Sequence, residues 1–381
     1  MKEGIKNIYF CGHVRKVDPM SANAELNRRR NTYFCGHEAW FESDVSRHVR
    51  KKVGSFTAFF FILGLRHLEH LDLAGNDLAS MWLQASVFGH LPRLRSIDLS
   101  ANRLTELEQG LLAELSELER LDLSGNQISR LSRAPFQNQT KLQFLSLSHN
   151  SISSLDATSL QGLTPSLELL RLDHNQLKLV HRDGFRNLTG LLRLLLNHNH
   201  LETVPTALQH LSELTELDLS ENEVSELNSD FMLPGSKLTI LTLEGNRIER
   251  ILSDTFNSTR HLQDLNLARN QLSALHQAAF SPLSQLVNLT LAENKLTDIN
   301  GVLTSHPALL RLNLSHNELK WFDMAFFPRQ LEVLEVQSNH IEEIGNYYKL
   351  LDGFKLRTLD AGNNRISVLG HHTFVVRTYS L

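Results

Sequence analysis

The chain has 381 residues with 38 Lys+Arg against 42 Asp+Glu, a formal net charge of −4 that offers no whole-chain attraction to nucleic acid or an acidic membrane. A hydrophobic content of 41% excludes wholesale disorder, and only 2 cysteines exclude a disulfide-built scaffold or a cysteine-rich metal module. No apolar run reaches 18 residues, so no segment reads as a membrane-spanning helix.

Residues 1–54 read as separate from the rest. They hold 11 basic and 6 acidic side chains, a charge of +5, while residues 55–381 carry −9. They show no repeat periodicity of the kind described below and are expected to form a poorly ordered or non-native tail. Both cysteines lie there, in a motif YFCGH that occurs at Tyr9–His13 and again at Tyr33–His37. Cys11, His13, Cys35 and His37 are the donor types of a tetrahedral zinc site. Their C-x-H spacing is not that of the usual zinc modules, so neither a metal nor a cofactor is expected. The basic stretch Arg47–Lys52 is followed by an apolar run, Phe56–Leu65. That order resembles a signal peptide, but the run is short, internal and lacks a small-residue cleavage site. ILGLRHL at Ile62–Leu68 instead matches a repeat end such as FSPLSQL at Phe280–Leu286.

From about residue 68 the chain is periodic. LERLDLSGN places Leu118, Leu121 and Leu123 before Asn126, and the spacing recurs at Leu238, Leu241, Leu243, Asn246 and at Leu262, Leu265, Leu267, Asn270. The asparagines fall at Asn76, Asn102, Asn126, Asn150, Asn175, Asn199, Asn222, Asn246, Asn270, Asn294, Asn317, Asn339 and Asn364. These 13 positions are separated by 22 to 26 residues, most often 24. The Leu-x-Leu part has period 2, which predicts a short strand with leucines inward and is incompatible with an amphipathic helical array. Each Asn ends a strand, where its amide can bond to backbone groups left unpaired by the turn, so stacked turns predict an asparagine ladder. Phe136, Phe185, Phe256 and Phe280 each stand six residues before the next repeat's first leucine and are candidate core on the opposite side. One such turn cannot bury its own leucines, so neighbours must stack. The prediction is a right-handed α/β solenoid, a horseshoe of about 13 repeats, with a parallel β-sheet on the concave face and the last repeat truncated.

LxxLxLxxN is the signature of leucine-rich repeats. The C-terminal third is more specific. LTDINGVL at Leu296–Leu303, LKWFDMAFFP at Leu319–Pro328, IEEIGNYYKL at Ile341–Leu350 and LRTLDAGNNRI at Leu356–Ile366, with LETVPTAL at Leu201–Leu208, resemble the ectodomain of the long insect Toll receptors of the Toll-like receptor family. The resemblance covers about Leu65 to Phe374. It implies part of a type I receptor ectodomain on the extracellular side of the plasma membrane. Such an ectodomain binds a protein ligand or another receptor, including a second copy of itself. Pairing brings cytoplasmic TIR domains together in immune or developmental signalling. The chain departs from the family in having no cysteine after Cys35, no membrane helix and no TIR domain, which reads as a fragment or a faulty gene model. The alternative reading is a secreted or matrix leucine-rich-repeat protein without signalling of its own. An intracellular scaffold is a third.

No GxxxxGK[ST], GxGxxG, HExxH, GxSxG or EF-hand loop is present, and a solenoid offers no deep pocket for a triad, so no enzyme is expected. Five N-x-[ST] sequons are glycosylation candidates: Asn138, Asn187 and Asn257 just after the buried Phe position, and Asn288 and Asn313 on concave strand positions. His149, His174, His198 and His316 each precede a ladder asparagine. They are read as solvated turn residues rather than a pH switch, which would need a bistable element. Asp72, Asp98 and Asp122 take the outward middle position in the first three repeats and mark a solvated face. In the next three, outward positions hold Phe144, then Leu169 and Arg171, then Arg193 and Leu195, the residue types of an interface centre. These five are the candidate partner-binding residues.

Overall fold

The computed structural model describes residues 65–369 apart from 81–82, 84–86, 132–133, 300 and 346–353, together with the backbone of three short strands within 1–54. Those strands are β1 (Asn7–Phe10), β2 (Thr32–Tyr33) and β3 (His48–Lys51). The chain divides into two units, Met1–Leu191 and Leu192–Leu381.

The first unit continues with β4 (His70–Asp72), β5 (Ser96–Asp98), β6 (Arg120–Asp122), β7 (Phe144–Ser146), β8 (Ser154–Leu155), β9 (Leu169–Arg171) and β10 (Leu179–Val180). Its main sheet runs β2-β1-β3-β4-β5-β6-β7-β9. Every pairing in it is parallel. The centre residues Leu71, Ile97, Leu121, Leu145 and Leu170 are in register and 0–2% exposed. Their neighbours on each strand mostly point to the other face, as period 2 requires. β8 and β10 form a separate two-stranded ladder. The expectation for residues 1–54 lies largely outside the described residues. The strands described there continue the parallel ladder, with Val49 of β3 opposite Leu71 of β4.

The second unit holds β11 (Arg193–Leu195), β12 (Glu216–Asp218), β13 (Ile240–Thr242), β14 (Asp264–Asn266), β15 (Asn288–Thr290), β16 (Arg311–Asn313), β17 (Trp321–Asp323), β18 (Val333–Glu335), β19 (Glu343–Gly345) and β20 (Thr358–Asp360). Its main sheet runs β11-β12-β13-β14-β15-β16-β18-β20, with β17 pairing β19 apart from it. Leu194, Leu217, Leu241, Leu265, Leu289, Leu312, Leu334 and Leu359 form the register column.

The side of each repeat away from the sheet departs from the α part of the α/β expectation. No α-helix is found among the described residues, whose complete helical turns are both 3₁₀, Thr206–His210 and Met324–Phe326. The reason is the spacing of the apolar residues. Phe185, Leu188 and Leu191 come every third residue, and the N–H of Leu188 bonds to the Phe185 carbonyl and that of Leu191 to the Leu188 carbonyl, both at 3.0 Å. Phe280, Leu283 and Leu286 repeat the pattern at 2.8 and 3.2 Å. Bonds from i to i+3 with side chains eclipsed at i and i+3 make consecutive tight turns, not an α-helix. Beneath these turns Phe88, Phe136, Phe185, Phe256 and Phe280 are fully buried. Phe256 and Phe280 stack at 5.9 Å between ring centroids.

The asparagines join the turns. Asn126 Nδ2 donates to the carbonyls of Leu99 and Leu123, both at 3.0 Å, and its Oδ1 accepts the Leu104 N–H at 3.0 Å. Asn150, Asn246, Asn270, Asn294, Asn317 and Asn339 each bond in the same way to the repeat before and to their own. The residue before each ladder asparagine is left-handed: Gly75, Ala101, Gly125, His149, His174, His198, Glu221, Gly245, Arg269, Glu293, His316, Ser338 and Asn363 have φ between 52° and 67°. Most are not glycine, so the backbone conformation is imposed by the ladder rather than by local preference.

Candidate functional site

The candidate partner-binding residues lie on both units. Phe144, Leu169 and Arg171 belong to the first, where Phe144 sits opposite Leu169 and Ser146 opposite Arg171. Arg193 and Leu195 belong to the second, on β11. The structure thus brings three of them together on adjacent strands and two on one strand. Their apolar surface is more covered than their sequence suggests. Phe144, Leu169 and Leu195 are half-buried. The Arg120 guanidinium lies 3.5 Å from the centre of the Phe144 ring, a cation–π contact that covers one ring face. Arg171 is turned onto Asp173, with Nε to Oδ1 at 3.1 Å and Nη2 to Oδ2 at 3.2 Å. Arg193 meets Glu216 at 2.8 Å.

More exposed apolar residues lie elsewhere on the sheet face. In the second unit Leu192 is 38% and Ile240 39% exposed. Between them lies Thr215, the residue before β12, whose N–H bonds to the Leu192 carbonyl and whose carbonyl accepts from the Ile240 N–H. An isoleucine at the outward position of LTILTL is the signal in the sequence that marks Ile240.

The outward carboxylates are structural in part. Asp72, Asp98 and Asp122 accept the backbone N–H two residues on, from Ala74, Ser100 and Ser124, at 2.9–3.0 Å. They hold the strand exit in an Asx turn. Away from the sheet, the Lys141 ammonium bonds to Glu117 at 2.7 Å and lowers its pKa. The hydrogen bond from His200 lowers that of Glu223, aided by Arg247. The backbone N–H of Thr158 holds the Asp156 carboxyl below its usual range, aided by the Thr158 and Ser159 hydroxyls.

The sequons divide into two environments. Asn138, Asn187 and Asn257 are exposed on the turn side. Asn138 has φ +73° and donates to the Ala113 carbonyl at 3.2 Å. Asn288 and Asn313 are half-buried on the sheet face. Asn288 donates to Asp264 and accepts from Arg311 at 3.2 Å. Asn313 Oδ1 accepts from the N–H and hydroxyl of Ser315, the third residue of its own sequon, at 2.9 and 2.7 Å. His149 and His174 stack face to face. Cys11, His13, Cys35 and His37 lie outside the described residues.

The family profile described as "Leucine rich repeat" matches residues 66–128, 116–177, 165–224 and 236–296. The chain belongs to the leucine-rich-repeat family. Over 73 residues it is 52% identical to "Toll-like receptor 7" of Drosophila melanogaster, a match that covers 19% of this chain and 5% of that receptor. Its fold is similar to that of the Toll chain in a Drosophila Toll–Spatzle complex (TM-score 0.66, 23% identity, 78% of this chain and 45% of that one). It is also similar to a Leptospira interrogans LRR protein (TM-score 0.64, 24% identity, 84% and 85%). The likeness to a Toll-like receptor in sequence is confined to those 73 residues, and as leucine-rich repeats the turns form a protein-interaction scaffold. No helix among the described residues is long and apolar enough to cross a membrane.

Proposed function

We propose that this leucine-rich-repeat array is a protein-recognition segment of the ectodomain of a Toll-type transmembrane receptor in innate immune or developmental signalling. The observation that carries this reading is the 52% identity over 73 residues to Toll-like receptor 7. The partner is a protein ligand of the class seen with Toll, Spatzle, or another receptor ectodomain, including a second copy. The receptor that contains the array sits with it on the extracellular side of the plasma membrane. Phe144, Leu169, Arg171, Arg193 and Leu195 are the proposed contact residues. Each offers an apolar or guanidinium group at an outward strand position, and such groups concentrate binding energy.

The test is binding of the secreted chain to immobilised Spatzle and to Toll-type ectodomains, together with sequencing of the transcript. Saturable binding, with a membrane span and TIR domain downstream, is the expected result. A stop after a cysteine cap, with binding only to matrix proteins, favours the secreted alternative. A secreted chain that carries no glycan favours the intracellular one.

A further inference from the structure

His149 and His174 occupy the same turn position in successive repeats, each with φ +53°. Their imidazole ring centroids stand 4.1 Å apart, with the ring planes at 10° to each other. Asp173, next to His174, is 2% exposed, and its carbonyl accepts the His149 N–H at 3.0 Å. One ligand atom from each of His149, Asp173 and His174 lies within 4.8 Å of the others. The left-handed backbone at both histidines, held by the flanking ladder residues Asn150 and Asn175, aims both rings the same way.

We propose that His149, His174 and Asp173 form a binding site for a divalent transition-metal ion of the zinc class. Two imidazole nitrogens are borderline donors and one carboxylate oxygen is a hard one, and a set dominated by imidazole suits Zn²⁺, Co²⁺, Ni²⁺ or Cu²⁺ and not Ca²⁺ or Mg²⁺. Donors on one tetrahedral zinc stand about 3.3 Å apart, from bond lengths of about 2.0–2.1 Å. The donors here therefore close by up to about 1.5 Å on binding. In the stack the ring lone pairs run parallel, so at least one ring turns about its Cβ–Cγ bond. His149 is the exposed ring and turns into solvent. Asp173 is already held by Arg171 at 3.1 Å, and the ion competes with that guanidinium, which makes the carboxylate the weakest of the three donors. The remaining coordination positions are left to water. The bound ion would tie the turns of two successive repeats side chain to side chain, and would stabilise the array by mass action.

The test is a Zn²⁺ titration of the full chain carrying Cys11→Ser and Cys35→Ser, which silences the tail thiols. Asparagine replaces histidine in the variants, because Asn363 shows that it accepts this backbone with φ 52°. The expected result is saturable one-to-one binding that raises Tm. His149→Asn and His174→Asn each weaken it by about tenfold or more, and Asp173→Asn weakens it less. His316→Asn, at the same turn position with Glu293 and Ser338 as neighbours, leaves it unchanged. Wild-type binding that does not saturate by millimolar Zn²⁺ overturns the proposal, as does equal weakening by His316→Asn. Should a variant fail to melt like its parent in EDTA, the imidazole NMR signals of the parent decide. Zn²⁺-induced shifts at His149 and His174 support the site, and shifts confined to other histidines overturn it.

Discussion

The side-chain amide of Asn126 and the carbonyl of Leu99 are 27 positions apart in sequence and meet at 3.0 Å. That bond is the joint between two turns, and Asn126 is 8% exposed, so water does not readily replace the amide. Asn126→Ala leaves the Leu104 N–H without its acceptor and takes one of two amide donors from each of the Leu99 and Leu123 carbonyls, which keep those of Asn102 and Asn150. The expected loss is about 1–3 kcal/mol, from one buried group left unsatisfied. Asn126→Asp keeps the acceptor for Leu104 and sets a negative charge against two carbonyls, so it also destabilises. Urea denaturation measures both, and a loss under half a kilocalorie for either would show that the ladder is dispensable.

Gly125 precedes that asparagine with φ +65°, and a Cβ there would meet only ordinary contacts with Ala101, nearest 3.4 Å. Space therefore permits a side chain and backbone strain decides. Gly125→Val is expected to cost about 2 kcal/mol, because a β-branched residue resists the left-handed region. Gly125→Asn is expected to stay within about 0.5 kcal/mol, because asparagine adopts it readily. Equal Tm values for the two variants would contradict the assignment of strain.

The lowered pKa of Asp156 has a pH signature. Its folded value lies below the unfolded value, so its contribution is fully present above the unfolded pKa of about 3.9 and is lost as pH falls through the folded value. Asp156→Asn removes the titration and leaves an acceptor for Thr158. The Tm advantage of the parent over this variant is expected to be constant above about pH 5 and to shrink below about pH 4. An advantage that grows on acidification would reverse the sign of the linkage.

The proposed contact residues make a separate prediction. Phe144→Ser with Leu195→Ser is expected to weaken partner binding at least about tenfold, which is the 1.4 kcal/mol that one good apolar anchor supplies. Both side chains are half-buried on the sheet face, so Tm is expected to move only a few degrees. Unchanged binding with unchanged melting would remove these residues from the interface.

Glycosylation is expected at Asn187 and Asn257, which are exposed, and not at Asn288, whose amide is engaged by Asp264 and Arg311. Glycopeptide mapping of the secreted chain after glycosidase treatment checks each site. Full occupancy at Asn288 would mean that the sugar is added before that hydrogen-bond chain forms.

Some features could be read before any coordinates. The period of the leucines, the inward and outward register of the strands and the position of each asparagine follow from alternation and spacing alone. Burying one column of leucines leaves a single way to stack such turns. The five contact candidates could be named as outward residues for the same reason. Their true exposure could not be read, because Arg120 covers Phe144 from the neighbouring strand, 24 residues away.

By itself, the sequence determined the solenoid, its parallel strands and its asparagine joints, because period 2 before a recurrent Asn is satisfied by no helix and by no isolated hairpin. Only the tertiary structure decided what the turns do. The apolar triplets close as successive i to i+3 turns in place of helices. Residues as different as Ala101, His149, Glu221 and Arg269 share one left-handed conformation. Their side chains carry no common propensity for it. The ladder bonds of the repeat on either side impose it, and the same stacking sets His149 against His174 at 4.1 Å. Contacts between residues about one repeat apart depend on how turns are stacked, and local sequence preference does not encode that distance.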